Sequence, residues 1–120
     1  SFQATGNSND VSITQTGNRN IMGANDDFDY GIYIEGDANV MTITQTGDDG
    51  VVNIATTGSN NEATITQGDG GAAGARLNAE IIQEGDTNMG LIQQTGADHV
   101  GEIIQTGNGN SATITQGNGM

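Results

Sequence analysis

An apolar residue returns along this chain at a fixed short interval. Phe2 is followed by Ile13, Ile32, Ile43, Ile54, Ile65, Ile81, Ile92, Ile103 and Ile114. The spacing is eleven residues except for one step of 19 and one of 16. Five of these positions (Ile13, Ile43, Ile81, Ile92 and Ile103) open the phrase Ile-x-Gln-x-Gly, and the others are close variants. Around each Ile the pattern alternates. In Val11-Ser12-Ile13-Thr14-Gln15-Thr16, residues 11, 13 and 15 share one face of an extended strand and residues 12, 14 and 16 the other. No stretch carries a sustained 3.6-residue apolar period, so a helical repeat is rejected. Each unit reads as a short strand followed by a turn.

The ten units fall into two alternating classes. Even units carry Gln two residues after the Ile, at Gln15, Gln45, Gln67, Gln94 and Gln116. Odd units have Ala4, Ile34, Thr56, Gln83 and Gln105 there. Every turn from an odd to an even unit has Asn four residues before the Ile, at Asn9, Asn39, Asn61, Asn88 and Asn110. Returning turns hold Phe28, Gly50, Leu77 and His99 at that position. Glycines mark the turns at Gly6, Gly17, Gly36, Gly47, Gly58, Gly85, Gly96 and Gly107. The true repeat is therefore 22 residues, and a fixed period of that length marks a solenoid. The expected fold is all-β. It is a cross-β solenoid of five strand-turn-strand rungs, with two facing parallel sheets in one domain over residues 1–120. Both long intervals follow even units, which places corner insertions near residues 18–27 and 69–76. Deleting residues 21–27 or 71–75 should then leave the stack intact.

In such a stack, equivalent residues form axial columns. The core column is Ile13, Ile32, Ile43, Ile54, Ile65, Ile81, Ile92, Ile103 and Ile114. The Gln and Asn columns are expected to form amide ladders, each amide bonded to its copies above and below. That satisfies polar groups whose unpaired burial costs free energy. Small residues at Ala63, Ala79, Gly90, Gly101 and Ala112 imply that the two sheets approach closely.

Composition alone points elsewhere. Leu, Ile, Val and Phe make 22 of 120 residues and the net charge is −13, a combination that ordinarily signals disorder. Disorder does not require isoleucine every eleventh residue. There is no Cys, hence no disulfide framework. With two Lys+Arg against fifteen Asp+Glu, nucleic acid is excluded as a partner. No apolar run is long enough for a membrane span.

Candidate chemistry is sparse. The acids Asp26, Asp27, Asp29, Asp48, Asp49, Asp69, Asp86 and Asp98 read as solvated turn charge, and no segment matches a calcium loop. Glu80 and Glu102 fall in one outward column and should repel. The single His, His99, reads as a substitute for a corner Asn. With no nucleophile–base pair, no enzyme and no cofactor are expected. Outward Thr columns cover the even arm (Ser12, Thr42, Thr64, Leu91, Thr113, and Thr14, Thr44, Thr66, Gln93, Thr115). Tyr33, Ala55, Ile82 and Ile104 form an outward stripe on the odd arm, suited to lateral contact or simply to an exposed strand. Neither terminal rung has an atypical polar cap, so both are expected to template addition of another chain.

The phrase Gln105-Thr-Gly107-Asn-Gly-Asn110-Ser-Ala112-Thr-Ile114-Thr-Gln116 resembles the curlin repeat of curli subunits, the bacterial functional amyloids. Gln83-Glu-Gly85-Asp-Thr-Asn88-Met-Gly90-Leu-Ile92-Gln-Gln94 is similar to it. The resemblance implies a secreted subunit that polymerises into extracellular, cell-surface fibres for biofilm matrix and adhesion. It implies as partners further copies of itself, a nucleator subunit and an outer-membrane secretion pore. The chain departs from the family pattern in its two insertions and in units 1, 3 and 5, which lack the odd-arm Gln. A different use of the same scaffold is an ice-binding solenoid presenting Thr-x-Thr columns. A third is a calcium-dependent adhesin roll.

Overall fold

The computed structural model describes residues 2–22, 31–68 and 77–117. Among them no helix forms, so none is long and apolar enough to cross a membrane. Eleven strands follow in order: β1 (Phe2–Thr5), β2 (Asp10–Thr16), β3 (Ile21–Met22), β4 (Ile32–Glu35), β5 (Val40–Thr46), β6 (Gly50–Thr57), β7 (Glu62–Gly68), β8 (Leu77–Glu84), β9 (Met89–Thr95), β10 (His99–Thr106) and β11 (Ser111–Gly117). They make two parallel sheets. One has the order β1-β4-β6-β8-β10, with β3 also on β6; the other is β2-β5-β7-β9-β11. Each strand pairs with its equivalent one rung away, as a solenoid requires, and the chain forms five rungs.

Pairing is in register throughout. Ile13, Ile43, Ile65, Ile92 and Ile114 are successive partners in one sheet. Phe2, Ile32, Ile54, Ile81 and Ile103 are successive partners in the other. The inward faces close on one apolar seam containing Ile32, Ile43, Ile54, Ile65, Ile81, Ile92 and Ile103, all 4% exposed or less. Full burial of one such side chain contributes about 1.5–3 kcal/mol. The seam opens at its first rung, where Phe2 is 53% and Ile13 37% exposed.

The corners explain why the turns need their residues. Eight corner glycines, Gly6, Gly17, Gly36, Gly47, Gly58, Gly85, Gly96 and Gly107, have φ between 102° and 128°. Two residues later comes a left-handed residue: Ser8, Arg19, Ala38, Asp49, Asn60, Thr87, Asp98 or Gly109. Its positive φ aims the N–H along the axis. Ala38 N bonds Asn7 O at 2.9 Å, Asn60 N bonds Asp37 O at 3.0 Å and Thr87 N bonds Ser59 O at 3.0 Å. The backbone ladder therefore runs through the corners as well as the strands. A β-branched residue in this conformation is strained. Thr87→Asn, with the residue that Asn60 already places there, is expected to raise stability by about 1 kcal/mol, read from the urea midpoint of the monomer.

Of the range near 18–27 expected for the first insertion, residues 18–22 stay in the ladder, and residues 23–27 lie outside the described residues. Ile21 and Met22 pair with Val51 and Val52, and Asn18 and Arg19 follow the corner of Asp48 and Asp49. Only Asn53 separates Val52 from Ile54, whereas residues 23–31 separate Met22 from Ile32. The extra residues therefore fall in the sequence between Met22 and Ile32, after the corner rather than before it. Backbone pairing with β6 holds residues 21–22 in place, and corner bonds to Asp48, Asp49 and Gly50 hold residues 18–20, so a deletion of residues 21–27 would remove β3. The second insertion, near 69–76, lies outside the described residues. Its flanks, Gly68 and Leu77, keep register with Thr46 and Gly50.

Candidate functional site

The even Gln column forms a continuous carboxamide ladder. Gln15 Nε2 donates to Gln45 Oε1, Gln45 Nε2 to Gln67 Oε1 at 2.9 Å, Gln67 Nε2 to Gln94 Oε1 at 2.9 Å, and Gln94 Nε2 to Gln116 Oε1 at 2.8 Å. The second N–H crosses to the facing arm: Gln67 reaches Val51 O, Gln94 reaches Asn78 O and Gln116 reaches Val100 O. These carbonyl contacts fix which amide atom is nitrogen. Gln45, Gln67 and Gln94 are each 1% exposed, so every donor and acceptor must be paired. Small residues opposite make the space. A Cβ on Gly50 would lie 2.9 Å from both Gln45 Nε2 and Gln67 Oε1, and one on Gly101 would lie 3.1 Å from Gln94 Nε2.

The odd column holds a shorter ladder. Gln83 Nε2 donates to Gln105 Oε1 at 3.0 Å and to Glu62 O, while Gln105 Nε2 donates to Met89 O. Towards the first rung the column changes to Thr56, Ile34 and Ala4. The neighbouring inward column changes with it, from Ala112 and Gly90 through Ala63 to Met41 and Val11. Amide and small residue are exchanged for two apolar side chains, which keeps the seam filled.

The Asn column differs from the expected amide-to-amide pattern. Asn9, Asn39, Asn61 and Asn88 each accept, through Oδ1, the backbone N–H of the next Asn, with Asn110 last, at 2.8–3.0 Å. Each donates Nδ2 to the next rung's corner carbonyl: Gly36, Gly58, Gly85 and Gly107. The side chain replaces the strand hydrogen bond that the turn interrupts. Asn110 instead donates Nδ2 to Thr106 O at 3.1 Å.

Two sets of ladder residues are absent from the sequence reading. Asn20 does at the return corner what Asn9 does at the other: its Oδ1 accepts from Gly50 N and its Nδ2 reaches Gly47 O and Thr16 O. The signal was present, because Gly17-x-x-Asn20 repeats the Gly-x-x-Asn spacing of Gly6 and Asn9. Phe28, expected at that corner position, lies outside the described residues. His99 holds it in the last rung, with Nε2 3.2 Å from Thr95 O. The second set is acidic. Asp37, Asp48 and Asp86 accept the backbone N–H of Asn7, Asn18 and Ser59 at 2.6–2.8 Å, and Asn108 does the same for Asp86. Asp49 pairs with Arg19 through both carboxylate oxygens. These turn acids hold the corner rather than only solvating it; Asp26, Asp27, Asp29 and Asp69 lie outside the described residues.

On the outer faces, the Thr columns are in register, as are Tyr33, Ala55, Ile82 and Ile104. Glu80 lies between Asn53 and Glu102 in its column. Partial burial, then the nearby Glu102 charge, raises the Glu80 pKa. A carboxyl raised on folding contributes stability below its unfolded pKa and loses it as pH rises through the folded value. Glu80→Gln should therefore raise the urea midpoint at pH 7. It should also remove part of the gain the parent shows on acidification through the carboxylate range.

Taken together, the columns hold one rung on the next. Residues 85–117 match the family model for the curlin associated repeat. The matched part is the C-terminal end of the stack, where Gln94, Gln105 and Gln116 coincide with Asn88 and Asn110. Over that span the chain is similar to the repeat of that family. No curated protein matches the chain. No solved structure matches it either.

Proposed function

We propose that this chain is a structural subunit of an extracellular functional amyloid fibre of the curli kind, elongating end to end for biofilm matrix and adhesion. One observation carries the proposal. The outermost strands β1, β2, β10 and β11 lie at sheet ends in register with the ladder, and the first rung leaves Phe2 and Ile13 exposed in the core column. Such an edge is a template for another strand pair. The curlin-repeat match supports the same reading. Secretion through an outer-membrane pore and seeding by a related nucleator belong to this proposal. Ice binding is the weaker use of the scaffold, since Leu91 and Gln93 interrupt both Thr columns.

Incubation of the purified chain should give unbranched fibres by electron microscopy. Their diffraction should show spacings of about 4.7–4.8 Å along the axis and about 10 Å across it. A monomer that stays soluble and never elongates overturns the proposal.

A further inference from the structure

We infer that Asn108-Gly109 is a self-modification site: the Gly109 amide nitrogen closes on the Asn108 carboxamide to form a succinimide, and the fourth rung holds that reaction off in the folded chain. The inference is independent of the fibre reading. Asn108-Gly109 is the only Asn-Gly pair among the described residues; Asn118-Gly119 lies outside them. Glycine after Asn leaves the attacking nitrogen open, because no side chain shields it or restricts its φ. In the same corner column the other pairs are Asn7-Ser8, Asp37-Ala38, Ser59-Asn60 and Asp86-Thr87, so no other rung there joins an amide to a following glycine. Asn108 and Gly109 are both exposed, so water and hydroxide reach them. Burial gives no protection, but hydrogen bonds do. Asn108 Oδ1 accepts from Asp86 N at 2.8 Å, and Gly109 N donates to Asp86 O at 2.9 Å. One residue of the preceding rung thus holds both the electrophile and the nucleophile. While both bonds stand, Gly109 N keeps its proton on Asp86 O and the carboxamide stays tied to the Asp86 N–H.

Water is the only co-reactant. Gly109 N loses its proton and bonds to Asn108 Cγ, the Cγ–Nδ2 bond breaks, and ammonia leaves. Water then opens the ring at either carbonyl and leaves aspartate or isoaspartate at position 108. The two products differ in what they do to the corner. Aspartate keeps it, because Asp37, Asp48 and Asp86 already accept a backbone N–H of the preceding rung from equivalent places. Isoaspartate routes the main chain through the side chain and adds a methylene to it between Gly107 and Gly109. The bonds from Gly107 N to Glu84 O, Gly109 N to Asp86 O and Asn110 N to Asn88 Oδ1 are spaced for the shorter chain, so the last rung loses its fit. The reaction therefore falls on chain that is not yet folded, and it removes the last corner from that chain.

The purified full chain, incubated at mildly alkaline pH with and without guanidinium chloride, tests this. Fragmentation mass spectrometry resolves position 108 from position 118, and a protein-isoaspartate methyltransferase counts isoaspartate. In denaturant, position 108 should convert to both products. In the folded chain its conversion should be at least about tenfold slower, since it proceeds only through local opening of the corner. Gly109→Asn keeps a residue suited to the φ of +70°, so the fold should stay intact while conversion at 108 in denaturant slows severalfold. Asn88→Ala removes the bonds from Asn88 to Asn110 N and Gly107 O. It should speed conversion in the folded chain about fivefold, the effect of one net hydrogen bond, and leave the rate in denaturant unchanged. No conversion at 108 in denaturant overturns the site, as does undiminished conversion in Gly109→Asn. Equal rates with and without denaturant overturn the protection by Asp86, and so does an Asn88→Ala chain that folds and reacts no faster. Should Asn88→Ala fail to fold, the comparison of the parent chain with and without denaturant decides.

Discussion

Gln67→Leu is expected to destabilise the monomer by about 3–5 kcal/mol, far more than its conservative volume suggests. The carboxamide accepts from Gln45 Nε2 and donates to Gln94 Oε1 and Val51 O, in a position 1% exposed to water. Leucine fills the space but strands three partners, each costing about 1–3 kcal/mol unpaired, and its own apolar burial offsets part of that loss. The same ladder makes a second expectation sharper. In Gln45→Leu/Gln67→Leu the orphans are Gln15 Nε2, Gln94 Oε1 and Val51 O, again three. The bond between residues 45 and 67 disappears with both its ends. The double variant should cost little more than Gln67→Leu alone, by urea titration followed by far-ultraviolet circular dichroism. Additive losses would mean that the column does not act as a unit.

Gly58→Ala should be equally severe, on the order of 4 kcal/mol, for a different reason. Gly58 has φ +122°, which an L side chain adopts only with strain, and a Cβ there would collide with the carbonyl oxygen of Gly85 one rung on. Neither can relax alone, because Gly58 N is bonded to Glu35 O and Gly58 O accepts from Asn39 Nδ2. Gly109→Asn is the control. Its φ of +70° suits Asn, and nothing lies within 4 Å of the added atom, so its effect should stay within about 0.5 kcal/mol. A mild Gly58→Ala phenotype would show that the corners can separate without loss of the sheets.

The seam and the Gln ladders were legible because period-two alternation and an eleven-residue spacing together assign each side chain a face and a column. Asn9 to Asn110 were legible as a column, but not as caps for backbone. Their bonding depends on the corner glycine's φ, which places the next rung's carbonyl and N–H within reach. Asn20 was hidden by counting from the Ile: the insertion after Met22 shifted the offset to Phe28, although Gly17-x-x-Asn20 kept the corner spacing. Asp37, Asp48 and Asp86 looked like solvated charge, since sequence spacing does not show that a backbone N–H one rung away points at their carboxylates.

The chain's periodicity by itself determined a parallel β-solenoid, its five-rung count and the identity of its core column, because a 22-residue repeat with alternating faces has one compact way to stack. Only the tertiary structure decided where the first insertion leaves the ladder, since the corner bonds of Asn18, Arg19 and Asn20 and the pairing of Ile21–Met22 with Val51–Val52 keep the chain in register as far as Met22. The tertiary structure alone also decided the direction of the amide ladders. A carboxamide has two different ends, and facing-arm carbonyls such as Val51 O, Asn78 O and Val100 O choose between them.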